Sequence, residues 1–473
     1  MEVLAENDLA SPSRALHKPR SLRRRLYSNA AWSIGGRLLS MGSVFATNVL
    51  LARNLSTADF SAYAIAAAAA MLLAMPAAMG APRVILRLVR EGLATNQPQV
   101  AGHSAWACIR LVVATSALVS IIFVVSVGFL GEADKWQAVR EYSLLVAAWF
   151  ALSALCLALS HALQGYDDFR SAALAGAKNG GILSNVLAIV ALAAALWTGR
   201  LTLHLALAIQ VIAQLVAVVY ASAALWQVTR RHPTTITTSE SQPTEIRTVL
   251  WFFRESWPIL VIQLTSLGVA HFDVLLVSWM TGDREIATYA AVARLCELLG
   301  SAQILAVAVA APFISELYVA KQFSKLEQML RGIASLTAIP TLLIAVPLLV
   351  APGTVLASIY GPDFASGATA LRVAVLGCSV AVLSGTNSLV MVMTGQQRQL
   401  LRASLAAGAL YLLVAPPFIM AWSINGAAAA TSIVFGGYNI AITLMIKSRM
   451  GIWTTASASP STYAFAFRQL IAK

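Results

Sequence analysis

Seven charged residues inside otherwise apolar stretches of this chain are candidates for chemistry: Arg37, Arg110, Lys178, Asp273, Arg294, Glu297 and Arg372. A charge inside a lipid-spanning helix costs about 2.5 to 3.5 kcal/mol on insertion scales, so it normally faces a partner or a water-filled cavity. Five of the seven are cationic, which suits the binding of an anion. Guanidinium grips diphosphate oxygens in bidentate fashion, and a close charge pair at intermediate dielectric is worth several kcal/mol before desolvation. Arg37 and Lys178 fall roughly 10 Å in from the ends of their stretches at about 1.5 Å per residue, beyond easy snorkelling, and they head the list of substrate-binding candidates. Arg110 and Arg372 lie nearer the ends, and snorkelling to the interface is their ordinary reading.

Asp273, Arg294 and Glu297 come from consecutive apolar stretches joined by a short turn, and Arg294 and Glu297 share one helical face at i, i+3. They form either a neutralising ion-pair network or a set in which Arg294 faces substrate and Asp273 or Glu297 couples a cation. His204 and His271 are single histidines near helix ends. The four cysteines, Cys108, Cys156, Cys296 and Cys378, fall one each in different apolar stretches with no paired spacing, so the sequence points to neither a disulfide framework nor a metal site nor any cofactor.

The elements that hold these charges must be membrane helices. Of 473 residues, 59% are hydrophobic and 11% charged, with a mean hydropathy of +0.75, against about a quarter charged in an ordinary soluble protein. A bilayer core about 30 Å thick takes roughly 20 apolar helical residues to cross. About twelve stretches qualify on that length: 30–52, 60–80, 104–130, 142–163, 172–197, 203–226, 257–280, 286–314, 333–351, 369–394, 400–420 and 424–446. Lys and Arg concentrate in the N-terminal arm, in PRVILRLVREG and in the segment after the sixth stretch, which places both termini in the cytoplasm. The net charge of +13 is thereby explained as topology and contact with anionic lipid, and nucleic acid is a poor partner. Arg23, Arg24 and Arg25 precede an apolar stretch broken by Arg37, with no small-residue cleavage site, which reads as an uncleaved first span.

The chain repeats itself. NVLLARNLSTADFSAYAI (48–65) has the shape of DVLLVSWMTGDREIATYAA (273–291), with Asn48 opposite Asp273 and Tyr63 opposite Tyr289, and Gly165 falls opposite Gly395. Two copies of six helices have the same orientation in the membrane. The expected organisation is a basic arm (1–29), an N-lobe of helices one to six (30–226), a cytoplasmic linker (227–256), a C-lobe of helices seven to twelve (257–446) and a cytoplasmic tail (447–473).

Three stretches, SNAAWSIGGRLLSMGSVFATNVLLARNLSTADFSAYAIA, IYGPDFASGATALRVAVLG and MTGQQRQLLRASLAAGALYLLVAPPFIMAWSINGAAAATSI, occur in order and in register with the helices. Together they resemble the polysaccharide biosynthesis protein family, the O-antigen (Wzx-type) and exopolysaccharide flippases of the multidrug/oligosaccharidyl-lipid/polysaccharide exporter superfamily. The resemblance implies an all-α, V-shaped, two-lobed exporter in the bacterial inner membrane. Its cargo would be an undecaprenyl-diphosphate-linked oligosaccharide, moved from the cytoplasmic to the outer leaflet by alternating access around a cationic cavity. It also implies polymerase and chain-length proteins of a polysaccharide pathway as partners. An enzyme is a poorer reading: the longest outer loop, around APGTVLASIYGPDFASGA, is short, and Asp167 with Asp168 is a tandem pair rather than a DxD sugar-nucleotide motif. A cation-coupled multidrug exporter and a non-transporting scaffold of the assembly machinery remain open, because one fold hosts several functions.

Overall fold

The protein is described from a computed structural model covering residues 22–95, 97–129, 139–176, 180–231, 260 and 272–457. The N-terminal arm up to residue 21, the linker from 232 to 256 and the tail from 458 lie outside those residues, as do Lys178, His271 and most of the expected seventh span. Among the described residues the chain is almost entirely helical, without β-strand.

Helix α1 (Leu22–Asn54) contains a 24-residue apolar span from Ala31, and turns through Leu55 and Ser56 into α2 (Thr57–Ala78). The turn is capped by Ser56, whose Oγ accepts from the Asp59 amide at 3.1 Å, satisfying one of the otherwise unpaired N–H groups of the first turn. α2 ends where Met79 (φ 51°) and Gly80 (φ 69°) turn left-handed, a conformation a glycine adopts without steric cost. Beyond that break α3 (Ala81–Ala94) carries PRVILRLVREG, which the sequence reading places in a connecting loop. It is instead an amphipathic helix, burying Val84, Ile85, Leu88 and Val89 and exposing Arg83, Arg87 and Arg90 at i, i+4, i+7.

α4 (Pro98–Gly128) and α5 (Ser143–Gly165) follow, then α6 (Phe169–Ala175), α7 (Ile182–Trp197) and α8 (Leu203–Arg231). The continuous span expected over 172–197 is therefore broken. Gly180 (φ 82°) lies in the break, which is held by Ser40 Oγ donating to the Gly180 carbonyl at 2.9 Å and Asn185 Nδ2 donating to Ser40 Oγ at 2.8 Å.

In the second half, a helix over 272–280, here α9, turns into α10 (Asp283–Leu299), which gives way at Gly300 to α11 (Ser301–Val319). The expected 286–314 span is thus two helices. α12 (Phe323–Val350) leads to α13 (Pro352–Tyr360) and a 3-10 turn over Pro362–Gly367, so the segment read as a loop is largely helical. α14 (Ala368–Leu383), α15 (Asn387–Met393) and α16 (Gln397–Met450) complete the described chain. α16 is two helices joined at Trp422 and Ser423, where φ and ψ leave the helical region, and this break coincides with the expected boundary between 400–420 and 424–446.

Eight of these elements, counting Pro362–Met393 as one, are long and apolar enough to cross a membrane. Their exposed faces are apolar in the way lipid requires: Leu118, Ile121, Ile122 and Val125 on α4 are each more than half exposed. In water such a face would be a severe aggregation liability. The chain is a multi-pass membrane protein.

Candidate functional site

The two halves meet at the end of the bundle where α1 turns into α2 and α9 turns into α10, here called the distal end. Ser61 Oγ donates to Asp283 Oδ1 at 3.0 Å. The Arg53 guanidinium, from α1, donates to the Ile359 carbonyl at 2.7 Å and to the Ser358 carbonyl, capping the C-terminal turn of α13. That turn presents unsatisfied carbonyls and the negative end of the helix dipole, so a cation is favoured there. Phe60 packs edge-on against Phe364 with ring centroids 5.9 Å apart.

Away from this contact a cavity opens between the halves, with an empty volume of about 1640 Å³ counting its mouth. Asn48 and Met71 line it from the first half, and Asp273, Tyr289, Arg294 and Glu297 from the second. The expected three-way cluster of Asp273, Arg294 and Glu297 is split. Arg294 Nη1 donates to Glu297 Oε2 at 2.9 Å, as their spacing along one helical face predicts. Asp273 instead accepts from Tyr289 Oη at 2.8 Å and from the Val274 amide at 2.8 Å. The acidic residue that opens the repeat in the second half is thus held by the tyrosine that closes it.

The repeat in the first half is wired differently. Asn48 Nδ2 donates to the Val44 carbonyl in its own helix at 3.0 Å. Tyr63, the counterpart of Tyr289, accepts at 3.4 Å from Gln210 Nε2 on α8, and Tyr289 lies 3.4 Å from Thr431 on the last helix of its own half. In both halves the tyrosine therefore ties the second helix of the repeat to its last, while only the second half adds a carboxylate.

Arg37 is exposed on α1, and no ion pair or hydrogen bond joins it to another described residue. Arg83, on the polar face of α3, is likewise exposed, and no ion pair or hydrogen bond joins it to another described residue. Sequence reasoning does not single out Arg83. The amphipathic period of α3, with Arg83 on its polar face, was the available signal. Arg110 is exposed on α4, and Arg372 Nε donates to the Leu349 carbonyl at 3.1 Å, so both sit outside the cavities described here. Asp168 caps α6 by accepting from the Ser171 amide at 3.0 Å, and Asp167 lies 3.6 Å from Arg90, which gives the tandem acids a loop role. Cysteine spacing along the chain predicts no pair, yet Cys296 and Cys378, both free, line the wall of the same cavity. No group of three metal-ligating side chains occurs among the described residues.

A family model described as polysaccharide biosynthesis protein matches residues 26–318. The chain belongs to that family. No curated protein matches it significantly in sequence. Among solved structures, an inward-facing multidrug resistance MATE family transporter of the MOP superfamily superposes with a TM-score of 0.70 at 15% identity, covering 88% of this chain and 98% of its own. An outward-facing structure described in the same terms gives 0.60 at 15% identity, with 91% and 96% covered. A Vibrio cholerae MATE transporter, VcmN, in a mutant form gives 0.61 at 16% identity, with 91% and 98% covered. This polysaccharide biosynthesis family member therefore has the MATE-like transporter fold.

Proposed function

We propose that the protein flips an undecaprenyl-diphosphate-linked oligosaccharide from the cytoplasmic to the outer leaflet of the bacterial inner membrane. Both termini lie in the cytoplasm, and an N-lobe (30–226) and a C-lobe (257–446), joined by a cytoplasmic linker (227–256), rock about the distal contact. The observation that carries this reading is the charge distribution of the first half. Arg37 and Arg83 are exposed with no acidic partner among the described residues, and no acidic residue of that half lines either cavity to which it contributes. Guanidiniums left without an acidic partner suit a diphosphate, which offers several anionic oxygens for bidentate contacts, and repel a cationic drug. Lys178, outside the described residues, remains a candidate for the same anion by sequence alone. Arg294 stands at the junction of the cavities, its charge shared with Glu297.

The higher TM-score to the inward-facing structure and the closed distal contact support a resting state open toward the termini. From there a diphosphate headgroup enters from the cytoplasm, while its prenyl chain stays in lipid. A cation-coupled multidrug exporter is the competing reading, favoured by Asp273 and Glu297 at the wall of the central cavity. A deletion strain separates the two. Accumulation of lipid-linked glycan in the cytoplasmic leaflet, restored to export by the wild-type gene and not by Arg37→Ala/Arg83→Ala, supports flipping. Unchanged glycan export with new sensitivity to cationic dyes overturns it.

A further inference from the structure

Beside the central cavity lies a second pocket, lined by the first half and by Arg294, with an empty volume of about 630 Å³ counting its opening. Its polar wall is made of carboxamides: Asn48, Asn185, Gln210 and Gln214. Tyr63 and Trp149 supply the aromatic wall, with their rings stacked at 6.0 Å and 30°. The space exists because the facing side of α2 carries Ala67, Ala70 and Ala74, one stripe at helical spacing. The charged lining residue is Arg294, which also lines the central cavity.

Three of the amides have partners within the protein: Asn48 the Val44 carbonyl, Asn185 the Ser40 hydroxyl and Gln210 the Tyr63 hydroxyl. Gln214 is different. Its side chain lines the pocket, the residue is 96% buried, and its Nε2 has no hydrogen-bond partner. A buried amide N–H left unpaired is costly, and native structures rarely keep one without a use for it.

We propose that this pocket binds a sugar ring of the lipid-linked glycan, the ring next to the diphosphate, with Gln214 Nε2 donating to a sugar oxygen. The inference rests on the flippase reading above and adds to it the subsite that recognises carbohydrate. A sugar ring is neutral and dense in hydroxyls that both donate and accept, which is the pairing capacity of a carboxamide. Its apolar C–H face fits an aromatic wall. The ring adjacent to a diphosphate must bind beside a cation, and Arg294 borders both spaces. Neither a cationic drug nor a free polyanion matches an uncharged amide wall as well.

The test uses the full chain in lipid nanodiscs and two probes of equal charge: farnesyl diphosphate capped with a methyl group, and the same lipid capped with one N-acetylglucosamine. The sugar-bearing lipid is expected to bind about tenfold more tightly, the worth of one or two buried hydrogen bonds. Gln214→Leu and, separately, Gln210→Leu are expected to abolish most of that preference while leaving the methyl-capped lipid unchanged, with thermal unfolding confirming that each variant is folded. Equal binding of the two lipids by the wild-type protein, or a preference that survives in both variants, overturns the proposal. The diphosphate reading is scored separately by Arg37→Ala/Arg83→Ala. If that variant binds the methyl-capped lipid as well as wild type does, the flippase reading loses its anion site, while the sugar preference still decides the pocket.

Discussion

The pairing of Tyr289 with Asp273 is the strongest single-residue statement about this site. Asp273 is 6% exposed, and Tyr289, 2% exposed, supplies one of its two hydrogen bonds. Tyr289→Phe removes the donor and leaves a buried carboxylate oxygen unpaired, so it is expected to destabilise the protein by about 1 to 3 kcal/mol. Asp273→Asn keeps an oxygen to accept from Tyr289 and is expected to cost less. Thermal unfolding of the two variants side by side checks the order, and a larger loss in Asp273→Asn would contradict it. Sequence made part of this legible: the repeat put Asp273 and Tyr289 in matched positions with Asn48 and Tyr63, and the i, i+3 spacing foretold the Arg294 and Glu297 pair. It could not say which of three neighbouring charges pairs with which, because a tyrosine hydroxyl competes for Asp273 and periodicity carries no information about such a competition. Gln210 and Gln214 were equally hidden, since two glutamines on an apolar helix have no charge to betray them.

At the scale of elements, the sequence reading succeeds where a span is long and uniformly apolar, as in α4, α5 and α8, and fails where a span breaks inside the membrane. The break between α6 and α7 was announced by Asn179, Gly180 and Gly181, a turn signal outweighed by the apolar residues on both sides. The helicity of α3 is masked in the sequence because its arginines read as loop charges, although Arg83, Arg87 and Arg90 recur at i, i+4 and i+7 on one face. Close packing of helices is the other feature that only coordinates reveal. A Cβ on Gly377, in α14, would lie 2.5 Å from Ser432 Cβ and 2.6 Å from Ser432 Cα on α16. Gly377→Ala is therefore expected to force the two helices apart at a cost of about 1 to 3 kcal/mol. Gly437, also on α16, has nothing within 4 Å of its would-be Cβ. Gly437→Ala is expected to be neutral or stabilising by about 0.5 to 1 kcal/mol through reduced backbone entropy. Measured unfolding midpoints for the pair check this contrast, and equal effects would refute the packing account.

For the whole molecule, the proposed flipping requires the distal contact to open for cargo to leave on the far side. Arg53 bridges the halves by capping α13, and Ser61 reaches Asp283. Arg53→Ala removes the cap while leaving the cores of both halves intact, and is expected to raise labelling of a cysteine introduced at Phe364 by a membrane-impermeant thiol reagent applied from outside the cell. Unchanged labelling would show that the lock lies elsewhere. An energy source also belongs to this scale. A ligand or field biases two states only by its differential free energy, and a diphosphate leaving a negative interior gains about 2.3 kcal/mol per charge per 100 mV if it crosses the whole field. Flipping is accordingly expected to accelerate under an imposed inside-negative potential, and a requirement for a proton or sodium gradient alone would instead promote Asp273 or Glu297 to coupling residue.

The central claim, that the cavity carries an anionic glycolipid, is tested most directly by reconstituted flipping. Proteoliposomes holding the full chain are loaded with a prenyl-diphosphate oligosaccharide, and its arrival in the opposite leaflet is read by a lectin or glycosidase that cannot cross the bilayer. The expected result is protein-dependent flipping that is largely lost in Arg37→Ala/Arg83→Ala and is retained in Asp273→Asn. Absence of flipping by the wild-type protein, in vesicles that do transport a cationic dye, would contradict the account.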